Sequence, residues 1–216
     1  WMRANNEAAH LDGSPDIFTA EQIAQYEKGN DPRYPASSQW TDWIQKSALQ
    51  HTHNLSVTGG NEKLNFYASG SYASQDGHVD NDDYEKWNLL VNLNYKPTDR
   101  FDISSSIAYQ RENITRPVGY DMFTAVRNAL LNPPIDPFYL PNGDYNNKAT
   151  LGANPKYLMK EGGNGLYDFD NLRMSIAAKF KIIDGLLLKY TIATNMTFNS
   201  ENKLLKNKNI SIIKEF

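Results

Sequence analysis

The sequence predicts an all-β fold: about six long antiparallel strands with the make-up of a transmembrane β-barrel segment, and long loops that carry short helices. Three observations predict it. Apolar and polar residues alternate strictly over about a dozen positions at a time, where soluble strands average about 5–6 residues. Tight turns alternate with long connections, the loop pattern of outer-membrane barrels. Aromatic residues stand at the ends of the apolar faces, where ring bodies meet hydrocarbon and polar tips meet water.

Composition narrows the classes. The 216 residues hold 22 Lys+Arg and 25 Asp+Glu, a net charge of −3 that gives no case for a nucleic-acid-binding surface. Mean hydropathy is −0.64, yet aromatics reach 12%, more than a disordered chain carries. No run approaches the roughly 18 consecutive apolar residues of a membrane helix. The absence of cysteine excludes disulfides, thiolate metal sites and cysteine nucleophiles. The opening Trp1-Met2-Arg3 has no secretory apolar core and reads as the interior of a longer protein.

Residues 1–50 read as an irregular loop with short helices at 19–28, where Thr19 caps and Gln22 follows three on, and at 41–48. Residues 51–114 hold four strands. The first sets His53, Leu55 and Val57 against Asn54, Ser56 and Thr58, and turns at 59–62. The second runs Leu64, Phe66, Ala68, Gly70, Tyr72. The third runs Trp87, Leu89, Val91, Leu93, Tyr95, and turns at 97–100. The fourth runs Phe101, Ile103, Ser105, Ile107, Tyr109. A long loop fills 115–168, with a short amphipathic helix at 122–131 that sets Phe123, Val126 and Leu130 on one side. Residues 169–200 form a hairpin turned at Asp184-Gly185, and 201–216 are loop. Trp87 with Tyr95, and Phe101 with Tyr109, bracket nine positions each, against about 9–11 residues for a tilted strand crossing a bilayer. Phe66, Tyr72, Phe180 and Phe198 share their parity and complete the set of membrane-interface aromatics.

Chemistry-bearing clusters are poor. His51 and His53 share a face without a third ligand. Asp76, Asp80, Asp82 and Asp83 crowd one loop without EF-hand spacing. Gly162-Gly163-Asn164-Gly165 reads as a flexible loop rather than a nucleotide fingerprint. No nucleophile–base arrangement stands out. The expectation is no enzyme, no metal and no cofactor. Binding candidates are aromatic and polar residues of the long loop: Tyr120, Phe123, Tyr139, Asn142, Asp144, Tyr145 and Tyr157. Flat rings stack on sugars, and Asn and Asp satisfy hydroxyls; loops this long are usually functional or disordered.

The series Asp42-Trp43-Ile44, then His53-Asn54-Leu55-Ser56-Val57-Thr58-Gly59-Gly60-Asn61-Glu62-Lys63, then Gly70-Ser71-Tyr72 resembles the SusC/RagA family of TonB-dependent outer-membrane transporters. Asp83-Tyr84-Glu85-Lys86-Trp87-Asn88 resembles that family's strand entry. Asn132-Pro133-Pro134, Tyr139-Leu140-Pro141-Asn142-Gly143 and Asn154-Pro155 resemble its long extracellular loop. The resemblance implies a 22-strand barrel several times this length, in the Gram-negative outer membrane and in contact with its lipid. It also implies a plug domain and a TonB-contacting segment ahead of the barrel, neither represented in these residues. The implied partners are a SusD-like surface lipoprotein and TonB, and the implied substrates are oligosaccharides or peptides. A soluble carbohydrate-binding or adhesive β-domain is the alternative, since alternation by itself also fits a sandwich.

Overall fold

The computed structural model describes residues 1–31, 33–34, 40–44, 47–118, 121–147 and 154–206. Among these residues, six strands form one antiparallel sheet in chain order. They are β1 (Gln50–Gly60), β2 (Leu64–Gln75), β3 (Asp83–Thr98), β4 (Phe101–Pro117), β5 (Gly163–Ile183) and β6 (Leu186–Leu205). The sheet is open, and it is the predicted all-β barrel segment. Its tight turns are local devices. The Asn61 side-chain oxygen accepts from the backbone N–H of Lys63 and Leu64 at 2.9 Å each, closing the β1–β2 turn. Gly185, at φ +87°, supplies the left-handed residue of the β5–β6 turn.

Register decides what each face meets, because side chains alternate sides along every strand. One row across the sheet reads His53, Tyr72, Trp87, Arg111, Asp170, Phe198. Toward the tight turns, the same face continues through Leu55, Gly70, Leu89, Tyr109, Leu172 and Met196 and ends at Phe101, Phe180 and Leu188. Between those limits this face carries no charged side chain. Leu55, Ile176, Tyr190 and Ile192 are each more than half exposed there. So continuous an apolar surface marks a face that a membrane or a partner covers. From Asp170 to Phe180 a strand rises about 34 Å at roughly 3.4 Å per residue. Tilted by about 40°, that spans about 26 Å, against an apolar band of roughly 25 Å in outer-membrane barrels.

From the Trp87 row outward the hydropathy of the two faces inverts on β3 to β5. Glu85, Arg111, Asn113, Asp168 and Asp170 now stand on the formerly apolar face. Tyr84, Ile114, Tyr167 and Phe169 stand on the formerly polar one. The outer face is tied by polar contacts: Asn113 donates to Asp168 at 2.6 Å, and Tyr109 donates to Asp170 at 2.5 Å. This inversion is why the strands outrun the alternation. β4 and β5 extend into the 115–168 stretch by three and six residues, and β6 passes residue 200 to reach Leu205. Gly162 to Gly165 are accordingly no flexible loop. Gly163, at φ +107°, joins a helix to β5, and a Cβ there would lie 1.9 Å from the Leu204 carbonyl oxygen.

Among the described residues, four α-helices lie outside the sheet: α1 (Met2–Leu11), α2 (Ala20–Lys28), α3 (Met122–Leu131) and α4 (Pro155–Glu161). α2 has the anticipated capping box, with Thr19 Oγ1 accepting from Gln22 N–H at 3.2 Å and Gln22 Oε1 from Thr19 N–H at 2.9 Å. α1 is not anticipated by the sequence; its hold is tertiary, through burial of Met2 and Ala9 and the Arg3–Glu27 pair at 2.7 Å. The anticipated helix at 41–48 is a single 3₁₀ turn at Asp42–Ile44, with residues 45 and 46 outside the described set.

A charge placed in the apolar band measures its solvent. Val91→Arg, mid-band, is expected to destabilise the full-length protein by about 2–4 kcal/mol in urea unfolding. Asn92→Arg, on the opposite face, is expected to change stability little.

Candidate functional site

At the end of the sheet away from the tight turns, three separated segments pack into one cap. Trp40 and Ala129 form one small core with Trp43, Ile44 and Phe138. Val79, Ala125 and Met159 form a second, which Trp43 also touches, with Met122. The 40–44 turn, the 76–83 connection, α3 and α4 are thereby held together, and α4 lies against β4 and β5. Polar side chains pin the joints. Trp40 Nε1 donates to the Asp136 carbonyl at 3.1 Å. Asn81 Nδ2 donates to the Met159 carbonyl at 3.0 Å. Buried Asn154 donates to the Phe138 carbonyl at 3.0 Å and accepts from the N–H groups of Lys156 and Tyr157, capping α4. Asp121 caps α3 through Thr124, and those hydrogen bonds hold its carboxyl below the usual range.

Five of the binding candidates come together on this cap. Tyr139 and Tyr145 pair across a β-bridge, with ring centroids 5.2 Å apart at 36°. Tyr145 meets Tyr157 at 5.6 Å. Asn142 and Asp144 sit in the turn between Tyr139 and Tyr145, with Asn142 Nδ2 donating to Asp144 Oδ2 at 2.8 Å. Burial, then the neighbouring Tyr139, pushes the Tyr145 hydroxyl pKa up, so it stays a neutral donor. Phe123 stands apart. It is 75% exposed, with Leu130 at 67%, while α3 buries Ala125, Asn128 and Ala129. The helix thus turns its small residues inward and the Phe123–Leu130 stripe outward. Tyr120 lies outside the described residues.

Lys156 was not singled out from the sequence. Its ammonium donates to the Tyr139 hydroxyl at 3.2 Å and stands 5.9 Å from that ring's centroid. The helix that places it was readable: an Asn followed by Pro at the first helical position is a start signal.

The eight predicted membrane-interface aromatics all lie on the face that carries the apolar band. Tyr72, Trp87 and Phe198 share its outer row, with Tyr72 and Trp87 ring centroids 4.2 Å apart. Tyr109 lies one row inside, opposite Leu89. Phe101 and Phe180 pair at the turn-side limit, with ring centroids 6.4 Å apart. Tyr95 precedes that limit, and Phe66 lies one row further in, opposite Leu93.

No protein-family model matches the chain. It is similar to TonB-dependent receptor P3 of Formosa agariphila, 26% identical over 204 residues, a match that covers 89% of this chain and 20% of that protein. It is also similar to TonB-dependent receptor P26 of the same organism, 29% identical over 121 residues, covering 54% of this chain and 11% of that one. Among solved structures, a chain of the RagAB peptide importer in its closed-closed state superposes with a TM-score of 0.63 at 16% identity, over 86% of this chain and 23% of that one. A chain of the RagAB peptide transporter superposes at 0.64 and 15% identity, over 91% and 25%. The chain is thus similar to TonB-dependent receptors and shares the fold of part of the RagAB chains. It spans about a fifth of P3. In this barrel segment, the cap and the inverted upper sheet are continuous, and the aromatic cluster sits on that shared support.

Removing the α4 cap tests the support. Asn154→Ala is expected to weaken α4 by about 1–2 kcal/mol. Backbone hydrogen exchange in 156–161 of the full-length protein should speed up while β3 and β4 keep their protection.

Proposed function

We propose that the chain forms part of the wall and outer mouth of a TonB-dependent importer in the Gram-negative outer membrane. The observation that carries this reading is the uncharged apolar band with aromatic residues near both limits, on one face of a sheet whose other face is polar. Its height matches a bilayer, and its fold matches the RagAB importer. In this reading the apolar face meets lipid, the polar face meets the barrel lumen, and the tight turns are periplasmic. Phe66, Tyr72, Trp87, Tyr95, Phe101, Tyr109, Phe180 and Phe198 are the residues assigned to the lipid side and its borders.

The cap faces the cell exterior and meets a SusD-like surface lipoprotein. Phe123 and Leu130, apolar and outward on a helix fixed from below, suit such a contact. The cargo is an oligosaccharide or a peptide, and Tyr139, Asn142, Asp144, Tyr145 and Tyr157 form a ligand-facing patch. TonB engages a part of the full protein other than these residues. No catalytic step is assigned, and P3 and P26 are named receptors rather than enzymes.

Two experiments test this. Washed cell envelopes should retain the full-length protein in high salt and release it only with detergent; release into plain buffer would point to a soluble adhesive or carbohydrate-binding domain instead. Replacing 122–160 with a short linker should reduce co-purification of the surface lipoprotein at least several-fold. Undiminished co-purification would remove the cap from the interface.

A further inference from the structure

The polar face of the sheet is electrically lopsided. Its strand positions carry eight cations: Lys86, Lys96, Arg116, Arg173, Lys179, Lys181, Lys189 and Lys203. They carry three carboxylates, Asp102, Glu112 and Glu201. Each of the carboxylates is already engaged. Asp102 pairs with Lys96 at 3.9 Å, Glu112 with Lys86 at 3.0 Å, and Glu201 with Lys203. Lys181 pairs with Asp184 of the turn. Arg116, Arg173, Lys179 and Lys189 have no ion pair among the described residues.

These four run the height of the wall. Lys179 and Lys189 face each other across the β5–β6 ladder at the turn end, an arrangement that repels and costs stability. Arg173 stands about 20 Å higher, six residues along β5 at roughly 3.4 Å each. It borders a hollow lined by Leu90, Ser106, Ala108, Ser175, Ala193 and Asn195, so small and uncharged neighbours leave its guanidinium open. Arg116 lies opposite Gly165, about 27 Å above Arg173 at the same rise per residue. At the turn end, Lys179 shares a second hollow with Lys63, Lys96, Arg100 and Lys181 and with Glu62, Asp99 and Asp102. Cations still outnumber carboxylates there.

We infer that Arg116, Arg173, Lys179 and Lys189 form a cationic track that selects anionic cargo, whether an acidic peptide or an acidic oligosaccharide. The inference rests on the importer reading, which places this face on the lumen. A charged wall inside a low-dielectric tube focuses its field on whatever passes. A cargo bearing carboxylates meets countercharge along the whole path, and the repelling Lys179–Lys189 pair gains a shared partner. A neutral cargo gains neither. A patch serving only as a seat for one folded protein segment would not need to extend from the cap to the turns.

The test uses the full-length transporter purified in detergent and two length-matched probe pairs, pentaglutamate with pentaglutamine and trigalacturonate with maltotriose. The acidic member of one pair should bind about tenfold more tightly than its neutral partner, with the preference falling as salt rises. The pair that shows it tells whether the cargo is peptide or sugar. The combined variant Arg173→Gln, Lys179→Gln, Lys189→Gln should lose the preference, while Arg173→Lys, Lys179→Arg, Lys189→Arg should keep it and serve as the folding control. No acid preference in either pair, or a preference that survives neutralisation, overturns the track. So does a neutralised transporter that keeps its preference but lets a large antibiotic leak into cells, because the cations then hold a protein segment in place. The importer reading stands or falls separately, on the fractionation and co-purification above.

Discussion

On the proposed membrane placement, everything in this sheet depends on hydrogen-bonding the backbone where no water can do it. In hydrocarbon each unpaired N–H or C=O costs several kcal/mol, so only helices and closed barrels cross. The described residues include no helix long and apolar enough to cross. The ladder from β1 to β6 meets the requirement internally, strand by strand. The outer edges of β1 and β6 meet it only with further strands alongside. The RagAB chains, of which this one covers about a quarter, have the length to supply them.

Once the ladder is fixed, alternation sorts the side chains between solvents. In the proposed wall, a shift of one residue in register would put Asn88, Asn92 and Asn94 into lipid and Leu89, Val91 and Leu93 into the lumen, so lipid itself would enforce the pairing. The same rule explains the inversion above the Trp87 row. From that row outward, the lipid-side face of the proposed wall meets water and takes Arg111, Asp168 and Asp170. The inward face supports the folded cap and takes Ile114, Tyr167 and Phe169. One ladder therefore serves two environments, and the change of solvent is marked by a row of rings.

What the sequence shows about this molecule follows from that sorting. The strands were legible wherever apolar and polar residues alternate with a period of two, from Leu55 to Tyr109 and from Leu172 to Phe198. Their upper ends were not, because charge and hydropathy swap faces there while the hydrogen bonds continue. Tyr139, Tyr145 and Tyr157 were found as aromatic loop residues, but their packing against one another depends on Asn154 and Phe138, neighbours that no local pattern connects. The sequence pattern groups Phe123 with Val126 and Leu130 on one side of α3 but does not show which side packs inward. Helix packing prefers Ala125 and Ala129 there, since small residues allow close approach to Trp40 and Met159. The unpaired cations were invisible as a group, because Arg116, Arg173 and Lys189 join one face only through register.

The central claim is that the two faces meet different solvents, and the chain's lack of cysteine gives a clean background for reading it. Single cysteines at Val91, Ile107, Asn92 and Ser106 in the full-length protein, with any cysteines elsewhere replaced, would be labelled in intact outer membranes. The reagents would be a water-soluble maleimide and a lipid-soluble one. The account predicts that Val91→Cys and Ile107→Cys react with the lipid-soluble reagent alone, and that Asn92→Cys and Ser106→Cys react with the water-soluble one. Equal labelling of all four positions by the water-soluble reagent would contradict it.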